Sequence, residues 1–547
     1  MNKINKLNTN ISKITTNNNE FTNLKKDLVT FYWTRKDPKI MSKLIETFTE
    51  DGDIIFDPFL GSAPILFSLD ESKKNLCFVG SEINEMPLAF INFNLKELDK
   101  KELKRIENNF LAFFEKYRNL YEYESPLYSE DIVATKIILD RNEDDFTPKK
   151  FVFEGKEKLV VDKTNKEHFK KITLKYKNRC MQSIKLNKNR DINLMPNSRI
   201  AIKDGMRMSD LFNPINFYIL NQYFERFEND DSMIALMASV LHLCRLTDLK
   251  SQSQFPFWVP KKNIVERNIL LLLKKRVEKV LKHKNANTLK LNLVTDFKQF
   301  NKTKKSVYFL NKPSQTITEA EIPNDSVDLV ITDPPYFDQV AYSEYLKIWE
   351  FFCDYKSQLK DELIHSNRSK EASTEKLYLE NLNLCFSLVA KKLKKNGLAI
   401  IFFKDSKPKN IHLFLEQMER SGLRFIKTCH LQKRKFTYKQ NTTQDTTVTG
   451  ECLFFFKKAE LKTINERKSK ILDKAQVKLE LEKILLDFLR KYSLKNSEAS
   501  LGELYDSGLI LKLYKEDLLK HIPNSKYIVN ILKSNFKTSK NRTYKIG

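Results

Sequence analysis

The chain has 547 residues, 41% of them hydrophobic, and carries 96 Lys and Arg against 70 Asp and Glu, a formal net charge of +26. That length accommodates about two to four domains with a substantial core. No run of about 18 apolar residues marks a membrane span, and the basic excess suits a polyanionic partner such as a nucleic acid. The seven cysteines occur singly, without a C-x-x-C pair, which argues against a zinc ribbon or a disulfide framework and makes a reducing cytoplasm the expected compartment. The seven histidines form no H-E-x-x-H or other spaced cluster, so no metal is expected.

In chain order, residues 1–25 are rich in Asn, Thr and Lys. They read as a flexible arm without the apolar core of a signal peptide. A sheet domain is expected over 26–99 and again over 305–458. Its first strand is the run Asp53-Ile54-Ile55-Phe56-Asp57, which enters the loop Pro58-Phe59-Leu60-Gly61-Ser62. A second short strand, Cys77-Phe78-Val79-Gly80-Ser81, ends at Glu82. Strand, glycine-bearing loop, helix, strand and acid form the order of a nucleoside-binding βαβ unit. The loop lacks both G-x-G-x-x-G and G-K-[ST], so it is no phosphate cradle. It suits a nucleoside without phosphate, such as S-adenosylmethionine, with Glu82 accepting from ribose hydroxyls.

Residues 100–304 read as a domain-sized insertion, because 276 positions separate Asp57 from Asp333 whereas adjacent strands of one βαβ unit need only tens. Its early part, Phe146–Arg190, mixes cations with aromatics, as in Lys170 to Arg179. That pattern fits either target recognition or a solvated basic hairpin. Asp210–Leu249 is apolar at helical spacing, Gln254–Pro260 is an aromatic interruption, and Ile264–Lys284 reads as one long basic amphipathic helix.

The run Val327 to Ile331 is apolar and largely β-branched, as a strand covered on both faces should be, and it delivers Asp333, Pro334, Pro335 and Tyr336 to its carboxyl end. Two prolines stiffen that turn and leave its carbonyls unpaired with neighbouring N–H groups. An acid and a carbonyl held there suit an exocyclic amino group: accepting both its hydrogens frees the nitrogen lone pair for attack on a methyl sulfonium. Tyr336 offers a stacking face worth roughly 1–3 kcal/mol. Beyond it, Leu377–Leu393 reads as a helix, Lys394–Gly397 as a turn, Gly397–Phe403 as a strand, Ile411–Ser421 as a helix, and Leu423–Cys429 and Cys452–Phe456 as the last strands, with a polar loop over Lys439–Gly450. A small helical module is expected over 459–547. Its short helices fit a winged-helix-like unit, or equally a dimerisation or partner-docking tail.

The motifs resemble those of the amino-group (adenine-N6 or cytosine-N4) DNA methyltransferases. Asp333-Pro334-Pro335-Tyr336 matches their catalytic tetrapeptide, and Asp57-Pro58-Phe59-Leu60-Gly61-Ser62-Ala63 resembles their Asp-Pro-Phe-x-Gly-Ser-Gly cofactor loop. Phe31 to Pro38, followed by Leu44-Ile45, resembles the segment that closes over the methionine end of the cofactor. The resemblance covers roughly residues 28–98 and 305–458. It implies a Rossmann-like α/β sheet, mostly parallel with an antiparallel last strand, S-adenosyl-L-methionine as donor, and a base flipped out of DNA. Asp333, Pro334, Pro335 and Tyr336 are then the catalytic residues, with Phe337 beside them. Asp57, Pro58, Phe59, Gly61, Ser62 and Glu82 are the cofactor-binding ones. One departure stands out: Ala63, followed by Pro64, occupies the last glycine position, which costs about 1–2 kcal/mol if the backbone there is left-handed. No Pro-Cys dipeptide occurs, so the nucleophile of cytosine-C5 methylation is missing. Adenine N6 is the first expectation and cytosine N4 the second. An RNA methyltransferase (guanine N2 or adenine) and a catalytically silent DNA-binding homologue are the alternatives, and partner subunits of a restriction or defence system are compatible with either.

Overall fold

The computed structural model describes residues 29–32, 36–123, 132–142, 145–153, 158–160, 163–186, 192–194, 202–248, 264–301, 303–337, 342–356, 361–365, 374–405, 407–431, 451–459, 473–493, 499–538 and 543–545. The expectations placed on residues 1–25, Gln254–Pro260 and Lys439–Gly450 lie outside these. So do those on Trp33–Arg35.

An eight-stranded sheet forms the centre of the fold. Its strands are β1 (Ile54–Asp57), β2 (Cys77–Ser81), β3 (Asn292–Val294), β4 (Ser306–Leu310), β5 (Val327–Thr332), β6 (Leu393–Phe403), β7 (Leu423–Leu431) and β8 (Glu451–Lys458), in the spatial order β3-β4-β2-β1-β5-β6-β8-β7. The first six are parallel, and β8 slots between β6 and β7, antiparallel to both. This is a Rossmann-like α/β sheet. The apolar composition of β1, β2 and β5 follows from its two covered faces: every residue of β1 and β2 is buried, and in β5 only Asp328 escapes. Asp328 sits at the strand's start, where it accepts from the Ile54 N–H at 3.0 Å and binds Lys394 Nζ at 2.6 Å.

The helices on the sheet are α1 (Pro38–Phe48), α2 (Ile65–Glu71), α3 (Glu85–Leu95), α5 (Glu375–Lys392) and α6 (Pro408–Arg420), whereas α4 (Tyr342–Cys353) packs against helices of the inserted region. Asp37 caps α1 by accepting from the Lys39 N–H at 2.9 Å, with Pro38 in the first turn, where no backbone donor is needed. Thr374 caps α5 in the same way, through the Leu377 N–H.

Three readings from sequence are corrected. The turn expected at Lys394–Gly397 lies inside β6, which starts at Leu393: Leu393 pairs with Val327 and Leu398 with Leu329, so a bulge absorbs the extra residues. A side chain at Gly397 would sit 2.6 Å from Leu393 Cδ1, which only glycine avoids. The helix expected over Ile264–Lys284 is a strand, Ile264–Arg267, followed by a helix, Ile269–His283. Asn268 separates them by accepting from the N–H groups of Leu270 and Leu271 at 3.0 and 3.2 Å. The sheet also resumes at Asn292, earlier than residue 305, because β3 adds an edge strand to β4.

Between β2 and β3 lies a five-stranded antiparallel sheet built from segments within 136–160 and 247–267, together with helices. The basic run Lys170–Arg179 is helical, part of Lys163–Leu186, and not a hairpin. Asn165, Phe169, Thr173 and Tyr176 are its buried stripe while Lys170, Lys171, Lys175, Lys177 and Arg179 are exposed or half-buried, which is helical periodicity. This region shares one apolar cluster with α3 (Met86, Phe90, Phe93) and α4 (Leu346, Ile348, Trp349). Trp349 Nε1 donates to the Ala238 carbonyl at 2.8 Å. No helix among the described residues is long and apolar enough to cross a membrane.

Candidate functional site

Parallel pairing brings distant residues together. Because β1 pairs in parallel with β2 (Asp57 opposite Gly80) and with β5 (Phe56 opposite Val330), the carboxyl ends of all three strands open on the same edge of the sheet. A cavity of about 270 Å³ lies there. Asp57, Pro58, Phe59, Gly61, Ser62, Glu82, Asp333, Pro334, Pro335 and Tyr336 all line it. Phe337 does not belong to the lining; it is buried against Tyr378, ring centroids 4.7 Å apart.

The two acids of the β1–β2 half are enclosed. Asp57 Oδ1 accepts from the Phe59 N–H at 3.0 Å and from Thr332 Oγ1 at 2.6 Å. Burial nonetheless pushes its carboxyl up to about 7, with these two hydrogen bonds pulling the other way. Glu82 Oε2 accepts from the Gly61 N–H at 2.8 Å, and Oε1 from both the backbone and the side-chain nitrogen of Asn84 at 3.0 Å. Burial raises Glu82 too, against the pull of those donors. Glu82 therefore braces the loop after β1 as well as facing the cavity. That loop has left-handed backbone at Gly61 (φ 52°) and at Ala63 (φ 48°). A side chain at Gly61 would press on the Tyr32 ring at 3.2 Å, and Ala63 carries the strain foreseen for it. The hydroxyl of Ser314 holds the same loop by donating to the Pro58 carbonyl.

The β5 half is more open. Asp333 Oδ2 lies 3.0 Å from Lys36 Nζ, with side-chain exposures of 28% and 10% respectively, and Oδ1 accepts from the Tyr336 hydroxyl. Lys36 Nζ also donates to that hydroxyl at 3.4 Å and lies 4.9 Å from the centre of the Phe402 ring. The Tyr336 ring meets the edge of Phe403 at 5.3 Å and is 8% exposed. Tyr378 fixes the turn by donating to the Pro335 carbonyl at 2.8 Å. Chemically this is a carboxylate, flanked by a phenol and a carbonyl-bearing turn, that already binds one amine.

Lys36, Thr332, Ser314 and Tyr378 were not singled out as site residues from sequence. Thr332 had a signal, since it is the strand position just before Asp333. Lys36 stands next to the helix-capping Asp37 with nothing local to tie it to Asp333, and Tyr378 and Ser314 reach the site only through the fold.

The DNA methylase family N6_N4_Mtase matches residues 3–92 and 327–544, more than half of the chain. The type II methyltransferase M.MjaII of Methanocaldococcus jannaschii is 23% identical over 418 residues, covering 71% of this chain and 74% of its own. A solved phosphoethanolamine N-methyltransferase 2 of Haemonchus contortus, in complex with S-adenosyl-L-methionine, aligns with 78% of this chain and 100% of its own at 11% identity and a TM-score of 0.16, too low to carry an argument. The donor in this family is S-adenosylmethionine, and the residues present suit it. Ser62 Oγ and Asn84 Oδ1 are buried polar atoms without a protein partner, both belong to residues lining the cavity, and buried polar atoms call for a partner. Phosphate-binding features are missing from the loop, as befits a donor without phosphate. The two motifs that stand 276 residues apart in the sequence thus close on a single cavity, and the chain belongs to the N6/N4 amino-group DNA methyltransferases, which depend on S-adenosylmethionine.

Proposed function

We propose that this chain methylates the exocyclic amine of a base flipped out of duplex DNA, adenine N6 in the first place. The observation that carries the reading is the ammonium of Lys36 on the carboxylate of Asp333, 3.0 Å away. That ammonium stands in for the amino group of a target base. Bound in the cavity, the cofactor supplies an electrophilic methyl group. Asp333 and the carbonyl of Pro334 accept the two hydrogens of the target amine, so its lone pair turns towards that methyl. Attack by the amine on that methyl group would put positive charge on the nitrogen, which the Asp333 carboxylate would stabilise, an effect of roughly 2.7–4 kcal/mol for a comparable oriented partner, and the surplus proton would then leave the nitrogen for solvent. Pro335 and Tyr378 keep the turn fixed. Tyr336 contributes a flat wall for the base, which offsets part of the few kcal/mol spent on extruding it. Asp57, Pro58, Phe59, Gly61, Ser62 and Glu82 hold the donor, with Glu82 towards the ribose hydroxyls.

Residues 100–304 supply target recognition in this reading. The exposed cations along Lys163–Leu186 support it, since phosphate contacts position a protein on DNA.

The test is methyl transfer from radiolabelled S-adenosylmethionine to unmethylated genomic DNA and to total RNA, followed by nucleoside analysis. Label in N6-methyladenine from DNA is the expected result. Label in N4-methylcytosine keeps the chemistry and changes the base, whereas label in RNA alone overturns the substrate.

A further inference from the structure

The site described above uses little of the chain beyond β8, yet residues 473–545 form a built unit. Its parts are α7 (Lys474–Ser493), β9 (Ala499–Ser500), α8 (Leu501–Asp506), α9 (Leu509–Lys515), α10 (Ser525–Asn535), β10 (Lys537–Thr538) and β11 (Thr543–Lys545). The three strands are antiparallel in the order β9-β11-β10. Helix, strand, helices, helix and a pair of strands, with β11 in the middle of the small sheet, is the connectivity of a winged-helix unit. Such units read duplexes with the helix that precedes the strand pair, here α10.

The unit is docked through its other side. The hydroxyl of Thr428 on β7 donates to the Tyr505 carbonyl at 2.9 Å, and the Tyr514 hydroxyl donates to Glu419 of α6 at 3.1 Å. Leu504, Tyr505, Ile510 and Leu513 join the apolar cluster of the central sheet. Helices α8 and α9 are thus held against β7 and α6. On α10, Ile528, Val529, Ile531 and Leu532 are buried, and Lys526, Asn530, Lys533 and Ser534 form an exposed stripe. Asn524 fixes the start of the helix by accepting from the Tyr527 N–H at 3.1 Å.

Charge distinguishes this face from the rest of the unit, although Glu482 of α7 reaches the end of α10 by accepting from Asn535 at 3.4 Å. Among the described residues from Ser525 to Lys545 there are four cations, Lys526, Lys533, Lys537 and Lys545, and no Asp or Glu. The acids of the unit, among them Glu480, Glu482, Asp487, Glu503 and Glu516, fall on α7, on α8 and at the end of α9. Lys537 on β10, two residues past the end of α10, is exposed.

We propose that α10 and the paired strands β10 and β11 form a second duplex-DNA contact, separate from the methylation cavity, in which α10 lies in the major groove and Lys526 and Lys537 meet backbone phosphates. The proposal rests on DNA being the substrate. An 11-residue helix spans about 16 Å, enough to place Asn530 at base edges while cations at either end reach the two flanking strands. Amide side chains pair with adenine in that groove.

The full-length chain carrying Lys526→Ala and Lys537→Ala tests it, by anisotropy on a labelled duplex of about 30 bp, or three helical turns, over a salt series. Removing one lysine–phosphate pair lowers the slope of log K against log salt by about 0.9. The expected result is a slope reduced by nearly 2, affinity weakened about tenfold or more at physiological salt, a raised KM for DNA and an unchanged kcat. Lys526→Arg with Lys537→Arg should keep the wild-type slope, which separates charge from folding. A double-alanine variant with wild-type slope and affinity, in an enzyme that does methylate DNA, overturns this proposal alone. A wild-type chain that neither binds duplex nor methylates DNA overturns the substrate reading with it. Competition by single-stranded RNA stronger than by duplex assigns the face to RNA and also overturns it.

Discussion

The two halves of the cavity hold their carboxylates in opposite ways. Asp57 and Glu82 are each 7% exposed and are bound by donors of the loops that follow β1 and β2 and, for Asp57, by Thr332 at the end of β5. Asp333 is 28% exposed at its side chain and is bound by the Lys36 ammonium and by the Tyr336 hydroxyl, an ammonium that an incoming amine would replace in the proposed reaction. One sheet edge therefore carries a fixed receptacle beside an exchangeable one. The fixed half suits a ligand of constant shape. The exchangeable half suits an amine that must arrive, react and leave.

Asp333→Ala breaks this contrast most severely. It should lower methyl transfer by about 10²–10³-fold or more, while calorimetry finds S-adenosylmethionine bound as in wild type, because no donor of the β1–β2 half is touched. Weakened cofactor binding of similar size would mean that the halves are not separate.

Asp57→Asn probes the fixed half through pH. The carboxyl sits at about 7 in the folded chain against its ordinary 3.8, so the folded state holds its proton where the unfolded state has lost it. Its contribution to stability is fully present below about 3.8 and is lost as pH rises through about 7. The melting temperature without cofactor should fall between pH 5 and 8 in wild type, and Asp57→Asn should shrink that fall, by an amount on the order of a few kcal/mol. An identical pH dependence in the two proteins would contradict the assignment.

Lys36→Met tests exchangeability. If the Lys36 ammonium only occupies the place of the incoming amine, its loss leaves the reacting groups intact, so methyl transfer should stay within about fivefold of wild type at saturating DNA. A loss as deep as that of Asp333→Ala would make Lys36 part of the chemistry instead of a stand-in for the amine.

Ala63→Gly is the smallest expected change. Removing a side chain from φ 48° relieves about 1–2 kcal/mol, while glycine's added backbone freedom costs roughly 0.5–1 kcal/mol. Stability and cofactor affinity should barely move, and a large gain in affinity would show that Ala63 distorts the loop.

What could be read from sequence is what local pattern and strand ends determine. The runs Ile54–Asp57, Cys77–Ser81 and Val327–Thr332 are apolar because the sheet covers both faces, and each runs into the acid that reaches the cavity. What could not be read was set by pairing across hundreds of residues. Lys36 meets Tyr336 at a separation of 300, and Thr332 meets Asp57 at 275. β3 was missed because three residues, two of them exposed, give no periodicity. The strand Ile264–Arg267 was merged with the helix after it although its β-branched start and the capping Asn268 marked the boundary. The bulge at Gly397 reads as a turn in sequence because a glycine after two lysines and an asparagine looks the same locally in both settings.

The most direct test is nucleoside analysis of DNA from a methylation-free bacterial host producing either wild type or Asp333→Ala. N6-methyladenine is expected with wild type and none above background with the variant. Equal N6-methyladenine from the two would contradict the assignment, because the amine would then be methylated without the carboxylate that orients it.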